Sequence, residues 1–131
     1  MAGTKFITQE NLGTVLNAVT MAATRTSNWF KCEGFNQLVL TFECTRAAYT
    51  ALSIQLDFKD KTGKTVPQYI GTHAAGTTTL YRNTYSLTTS SSVTFDIVVP
   101  ICHEEFRVIF ASTAGGASDT VTCTATVAVN V

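Results

Sequence analysis

Residues 51 to 69 read ALSIQLDFKDKTGKTVPQY, and from Ala51 to Lys59 apolar and polar side chains alternate. A strand turns successive side chains to opposite faces. Leu52, Ile54, Leu56 and Phe58 therefore share one face, and Ser53, Gln55, Asp57 and Lys59 the other. The segment DKTGK, with Gly63, ends this strand in a turn, and Pro67, which has no N–H to give to a ladder, makes TVPQYI an edge or short strand.

The same period extends outward in both directions. QLVLTFECT sets Leu38, Leu40, Phe42 and Cys44 on one face. TTTLYRNTYSLT reads as one amphipathic strand, with Thr79, Tyr81, Asn83 and Tyr85 opposite Leu80, Arg82, Thr84 and Ser86. SVTFDIVVP turns Val93, Phe95, Ile97 and Val99 inward until Pro100, and EFRVIFAS does so with Phe106, Val108 and Phe110. DTVTCTATVAVNV alternates from Val121 through Cys123, Ala125, Val127 and Val129 to Val131, and TAGGAS, residues 113 to 118, reads as a Gly-rich hairpin loop before it.

Seven or eight antiparallel strands, with no helix long enough to cross between parallel strands, predict an all-β antiparallel β-sandwich of jelly-roll type, with an immunoglobulin-like sandwich as the alternative. One segment has helical spacing: in QENLGTVLNAVTMAA, Leu12, Val15, Leu16 and Val19 recur at helix intervals, against Gly13 and the β-branched residues. Residues 1 to 25 carry no aromatic apart from Phe6 and are rich in Thr and Ala. They read as an N-terminal arm or first strand, ahead of a β-sandwich domain over residues 26 to 131.

The chain of 131 residues fits one domain that holds a core without metal or disulfide. Nine Lys and Arg balance nine Asp and Glu, and charged residues make up 14% of the chain. No basic stripe is present to displace counterions, so no nucleic-acid partner is expected. The polar surface is supplied mostly by Thr and Ser, and a neutral, hydroxyl-rich exterior has little charge repulsion to keep copies apart. No apolar run approaches the length of a membrane span, and Gln9, Glu10 and Asn11 interrupt any signal-like segment, which predicts synthesis inside the cell and no membrane partner. The four cysteines, Cys32, Cys44, Cys102 and Cys123, are widely spaced. Three disulfide pairings are open to them, and an intracellular origin favours reduced, buried thiols.

Motifs that carry chemistry are scarce. His73 lies in IGTHAAGT and His103 beside Glu104 and Glu105; neither belongs to a nucleophile motif, HEEFR is not a zinc-binding HExxH, and the corner after Pro100 reads as solvated. KTG, residues 61 to 63, has no partner Ser followed three residues later by Lys. Asp57, Asp96 and Asp119 occupy outward or turn positions with no second carboxylate placed near them. No cofactor and no enzymatic activity are expected. Trp29, Tyr69, Tyr81 and Tyr85 keep a second reading open, a glycan-binding module of a phage tail or fibre, against a plainer role for Tyr81 and Tyr85 in the core or a subunit contact.

The C-terminal half, VVPICHEEFRVIFASTAGGASDTVTCTATVAV, has a proline-ended strand, an Arg-containing strand, a Gly/Ser loop and SDTVT opening the last strand. In these features the chain, over roughly residues 30 to 131, resembles the small jelly-roll decoration or cement proteins of tailed bacteriophage capsids. The resemblance implies a homo-oligomer, a trimer, that binds the major capsid protein on the capsid exterior and has no catalytic residues. Candidate contacts are the first 25 residues and the loops at 71 to 78 and 113 to 118, since Gly-rich segments order on docking. Among them Lys5, Phe6, Leu12, Val15, His73, Gly115 and Gly116 are the expected partner-binding residues.

Overall fold

Alternation sorts the long strands into two sheets that share one core. The computed structural model describes the backbone of residues 7 to 130 and the side chains of residues 9 to 129. In chain order the strands are β1 (Ile7–Thr20), β2 (Arg25–Thr26), β3 (Phe30–Lys31), β4 (Gln37–Thr45), β5 (Ala51–Lys59), β6 (Thr65–Pro67), β7 (Tyr69–Ala74), β8 (Thr77–Arg82), β9 (Tyr85–Thr88), β10 (Val93–Pro100), β11 (Glu105–Thr113) and β12 (Thr120–Asn130). One sheet has the order β1-β12-β4-β10. The other has β11 and β5 at its centre, with β2 and β3 sharing the far edge of β11, and β6 and β9 sharing the far edge of β5.

The pairings are nested: β1 with β12, β2 and β3 with β11, β4 with β10, and β5 with β9, all antiparallel. The chain is thus one long two-stranded ribbon rolled so that successive pairs fall in alternate sheets, which β4–β12 and β5–β11 pairing then seals. That is jelly-roll topology, and it excludes the immunoglobulin-like alternative. The core lies between the sheets. Leu38, Leu40 and Phe42 of β4, Leu52, Ile54, Leu56 and Phe58 of β5, Phe106, Val108 and Phe110 of β11, and Val121, Cys123, Ala125 and Val127 of β12 are all buried there. Phe42 joins the layers by stacking on Phe95 at 5.2 Å and on Phe110 at 6.0 Å between centroids.

Four details differ from the sequence reading. The helically spaced residues lie on β1, whose pairing with β12 shifts register between Asn11 and Gly13, Thr14 and Leu16, and Leu16 and Val19. Each added residue resets the in-and-out alternation. Apolar residues at 12, 15, 16 and 19 therefore all reach inward, with Val15 and Leu16 buried. TAGGAS is not a hairpin loop, because β11 and β12 lie in different sheets and residues 113 to 118 cross between them. TTTLYRNTYSLT is two strands, β8 and β9, in different sheets. Cys32, Cys44 and Cys123 are buried free thiols, while Cys102 is free but exposed.

Asp119 is the fulcrum of the crossing. Its Oδ1 accepts the backbone N–H groups of Ala47 (2.6 Å), Ala48 (2.8 Å) and Tyr49 (3.2 Å), and Oδ2 accepts that of Gly116 (2.9 Å). The β4–β5 corner and the β11–β12 crossing are thereby tied by one carboxylate. Four donors stabilise the ionised form, the Ala48 N–H foremost, and hold its pKa well below the usual carboxylate range against the opposing effect of desolvation.

Candidate interaction site

The far edge of β5 is covered in two parts: β6 pairs with residues 57 to 59 and β9 with residues 51 to 54. Between them the chain leaves the sheet as the β7–β8 hairpin. Its register, from Tyr69↔Arg82 to Ala74↔Thr77, leaves a two-residue loop of Ala75 and Gly76. Both loop residues have positive φ, 52° and 77°, as a tight turn matched to strand twist requires.

The base of the hairpin is fastened to the sandwich. Gln68 N–H donates to the Leu56 carbonyl at 3.1 Å and Asn83 N–H to the Gln68 carbonyl at 2.9 Å. Arg82, the last residue of β8, donates through Nη1 to the Leu56 carbonyl at 3.0 Å and through Nη2 to Asp57 Oδ1 at 2.6 Å. The second oxygen of Asp57 accepts from Arg107 Nε at 2.9 Å. Asp57 points outward from β5, as the alternation requires, yet the two guanidinium groups bury it. Charge-assisted bonds with this geometry fix direction as well as contribute energy. Trp29 extends the same cluster, with Lys59 Nζ 4.4 Å and the Arg107 guanidinium 4.6 Å from its ring centre.

Beyond this base no described residue covers the ribbon. Every residue from Tyr69 to Tyr81 is exposed, and Tyr69, Ile70, Leu80 and Tyr81 show 54%, 49%, 65% and 53% of their surface. Ile70 and Tyr81 are paired across the ribbon, and Tyr69 and Leu80 lie on its opposite face. The segment YIGTHAAGTTTLY contains no Asp, Glu, Lys or Arg. A two-stranded ribbon is marginally stable by itself, and here both faces present large apolar groups.

On the same side of the sandwich, the edges of β9 and β10 leave a cleft of about 210 Å³ lined by Ile54, Tyr85, Ser86, Leu87, Phe95 and Ile97. Its lining is uncharged. A third surface is the outer face of the β1-β12-β4-β10 sheet. There Thr122, Thr124 and Thr126 of β12 align with Glu43, Thr41 and Val39 of β4, and these with Thr94, Asp96 and Val98 of β10. Thr41 Oγ1 donates to Asp96 Oδ1 at 2.6 Å, and Val98 is 54% exposed.

Of the residues expected to bind a partner, Lys5 and Phe6 lie outside the described residues. Val15 is in the core and Leu12 is packed against it, so neither offers a free side chain. His73 is exposed on β7, its Nδ1 3.0 Å from Thr78 Oγ1. Gly116 gives its N–H to Asp119, and Gly115 is held so close that a Cβ there would lie 2.0 Å from Ser112 Oγ and 2.9 Å from Met21 Cβ. The 113 to 118 loop is therefore a packed corner. The corner after Pro100 is also less solvated than its sequence indicates: His103 stacks on Phe58 at 4.4 Å, and burial lowers its pKa. The aromatics of the glycan reading do not form one platform. Trp29 is occupied by two cations, Tyr85 lines the cleft, and Tyr69 and Tyr81 lie on opposite faces of the hairpin.

Tyr69, Ile70, Leu80 and Tyr81 were not singled out together by the sequence reading. A signal exists in the charge-free run from residue 69 to 81 around the Ala75-Gly76 turn.

No family model and no curated protein matches the chain. Among solved structures, it is similar to the crystal structure of the SPBc2 prophage-derived protein YomS, at 18% identity and TM-score 0.45, over 98% of this chain and 97% of that one. It is also similar to the structure of infectious bursal disease virus Gx strain, at 11% identity and TM-score 0.49, over 97% of this chain and 32% of that one. A third similarity is to the T13 viral particle of infectious bursal disease virus, at 12% identity and TM-score 0.49, over 96% of this chain and 31% of that one. This chain spans about a third of the length of those two viral chains.

Proposed function

We propose that this protein is a non-catalytic structural component of a phage virion, which binds the outside of the capsid as a homo-oligomer, a trimer, and reinforces the shell by bridging its subunits. The observation that carries the reading is the outer face of the β1-β12-β4-β10 sheet. Across the aligned rows of β12, β4 and β10 it presents Thr and Val, and Glu43 and Asp96 are the two charged residues among them. Such a surface has few ions to desolvate on docking, and its hydroxyls can exchange water for hydrogen bonds to a partner over a broad area. The likeness of residues 30 to 131 to capsid decoration proteins gives the same direction.

The mechanism is mechanical. A stiff two-layered body that spans a joint between shell subunits must be detached before the joint opens. Linking several modest contacts in one oligomer raises the effective affinity by roughly 10² to 10⁴ over one contact.

The test uses the intact chain, since β1 belongs to a sheet and cannot be removed as an appendage. Phage heads that lack the protein are mixed with wild type or with Thr124→Lys/Val98→Asp, and co-sedimentation and the temperature of head rupture are measured. Wild type is expected to bind at a fixed copy number and raise the rupture temperature, and the double variant to lose both effects. Absence of wild-type binding, or full occupancy by the variant, sinks the proposal.

A further inference from the structure

Most edges of the two sandwich sheets are interrupted. β1 shifts register repeatedly against β12, the outer side of β11 is shared between β2 and β3, and that of β5 between β6 and β9. β10 is the exception: Val93–Pro100 runs in unbroken register along β4, and among the described residues no strand pairs with its other side. We propose that this free edge accepts an extended segment of a shell subunit as an added strand of the β1-β12-β4-β10 sheet. The inference rests on the capsid-binding reading above and names the kind of contact that makes it.

The first observation is the row of backbone groups. Ile101 N–H donates to the Asn36 carbonyl at 3.1 Å, one step beyond the Pro100↔Gln37 pair. Bonded and non-bonded pairs alternate along an antiparallel ladder, so Val93, Phe95, Ile97 and Val99 turn their N–H and C=O groups to β4. Thr94, Asp96 and Val98 turn theirs to the free side. Pro100 falls in the same set, where its missing N–H costs the ladder nothing. Sheet edges are ordinarily blunted by bulges, by Lys or by an interior Pro. β10 has no Lys or Arg, its proline comes last, and its one charged residue, Asp96, is drawn back over β4 by Thr41 Oγ1 at 2.6 Å.

The second observation is the apolar seam beside that row. Val93, Phe95 and Ile97 of β10, with Tyr85 and Leu87 of β9, pack on the core but are only partly buried. A strand bonded to Thr94, Asp96 and Val98 lays every second side chain along this seam. Backbone bonds then supply attachment, and the seam selects uncharged apolar residues at alternate positions.

The third concerns the occupant. Thr94, Asp96 and Val98 carry their side chains on the face proposed to dock on the shell, so a strand added at this edge continues that surface. A second copy's β10 fits poorly. Of its fullest two-fold registers, one sets Asp96 opposite the other copy's Asp96, a like-charge pair, and the other sets Thr94 opposite Pro100, which has no N–H to give. Two-fold pairing also closes as a dimer, whereas a trimer leaves the β10 edge of every copy free.

The test is amide hydrogen exchange at residue resolution, on the free protein and on protein bound to phage heads that lack it. In the free protein the amides of Thr94, Asp96 and Val98 are expected to exchange fast and those of Phe95, Ile97 and Val99 slowly; on heads the first set should slow at least ~10-fold. Val98→Pro removes one outward N–H and takes none from β4. It should bind heads ~10-fold or more weakly than Val98→Ala, which keeps that N–H, and thermal melts followed by circular dichroism verify that both variants fold.

Heads that bind the protein while the Thr94, Asp96 and Val98 amides stay fast overturn this inference and leave docking through the sheet face intact. Equal binding by folded Val98→Pro and Val98→Ala does the same. No binding to heads overturns both readings. Protection of these amides in the free protein that fades on dilution assigns the edge to a second copy and overturns the inference as well.

Discussion

Asp119 concentrates at one carboxylate the closure of two chain corners, and its ionisation is coupled to folding. Its folded pKa lies below the ordinary carboxylate value because four backbone N–H groups point at it, that of Ala48 foremost. A depressed pKa contributes stability that is complete above the unfolded value, near pH 4, and is lost as pH falls through the folded one. Melting temperature followed from pH 7 to pH 2 should therefore decline below about pH 4 in wild type. Asp119→Asn should melt lower at pH 7 and decline less steeply, so that the two curves converge in acid. Parallel curves would show that Asp119 is not the coupled group. Asp57 works differently: it is buried by the arginines it binds, and its role is to hold Arg82 and Arg107 in place.

Among the elements, β1 is a strand whose apolar residues follow helical spacing because bulges interrupt its pairing. Gly13, at φ +85°, is the residue that permits the first register shift. A Cβ there meets no atom within 4 Å, so substitution is opposed by backbone conformation and not by packing. Gly13→Ala should lower unfolding free energy by about 1–2 kcal/mol, read from the urea midpoint with an unchanged slope. A shift under a few tenths of that size would mean that β1 re-pairs with β12 in an unbulged register. The β7–β8 hairpin is the opposite kind of element, regular in its pairing and held only at its base.

For the whole molecule, the sandwich divides the cysteines into two classes. Burial pushes the Cys32 and Cys123 thiols up to about 12 and the Cys44 thiol to about 11, and Cys102 is exposed. The thiolate is the reactive form. A disulfide reagent at pH 8 should therefore titrate one thiol in the native protein and four after denaturation. More than one rapid native thiol would mean that the sheets open on the timescale of labelling.

The sequence by itself determined the class of fold and the inward faces of β4, β5 and β11. Leu38, Leu40, Phe42, Leu52, Ile54, Leu56, Phe58, Phe106, Val108 and Phe110 recur at every second position, with polar residues between them except Val39 and Ile109, and a strand has one way to bury such a pattern. Pro67 marked an edge because a missing N–H is a local fact. Only the tertiary structure decided which strands pair, that residues 113 to 118 cross between sheets, and that Tyr81 and Tyr85 part company. It also decided that Val15 faces the core while Leu80 and Tyr81 face solvent. Alternation says that a side chain has two faces to choose from; which face is covered depends on chain segments far away in sequence, and no local pattern encodes that.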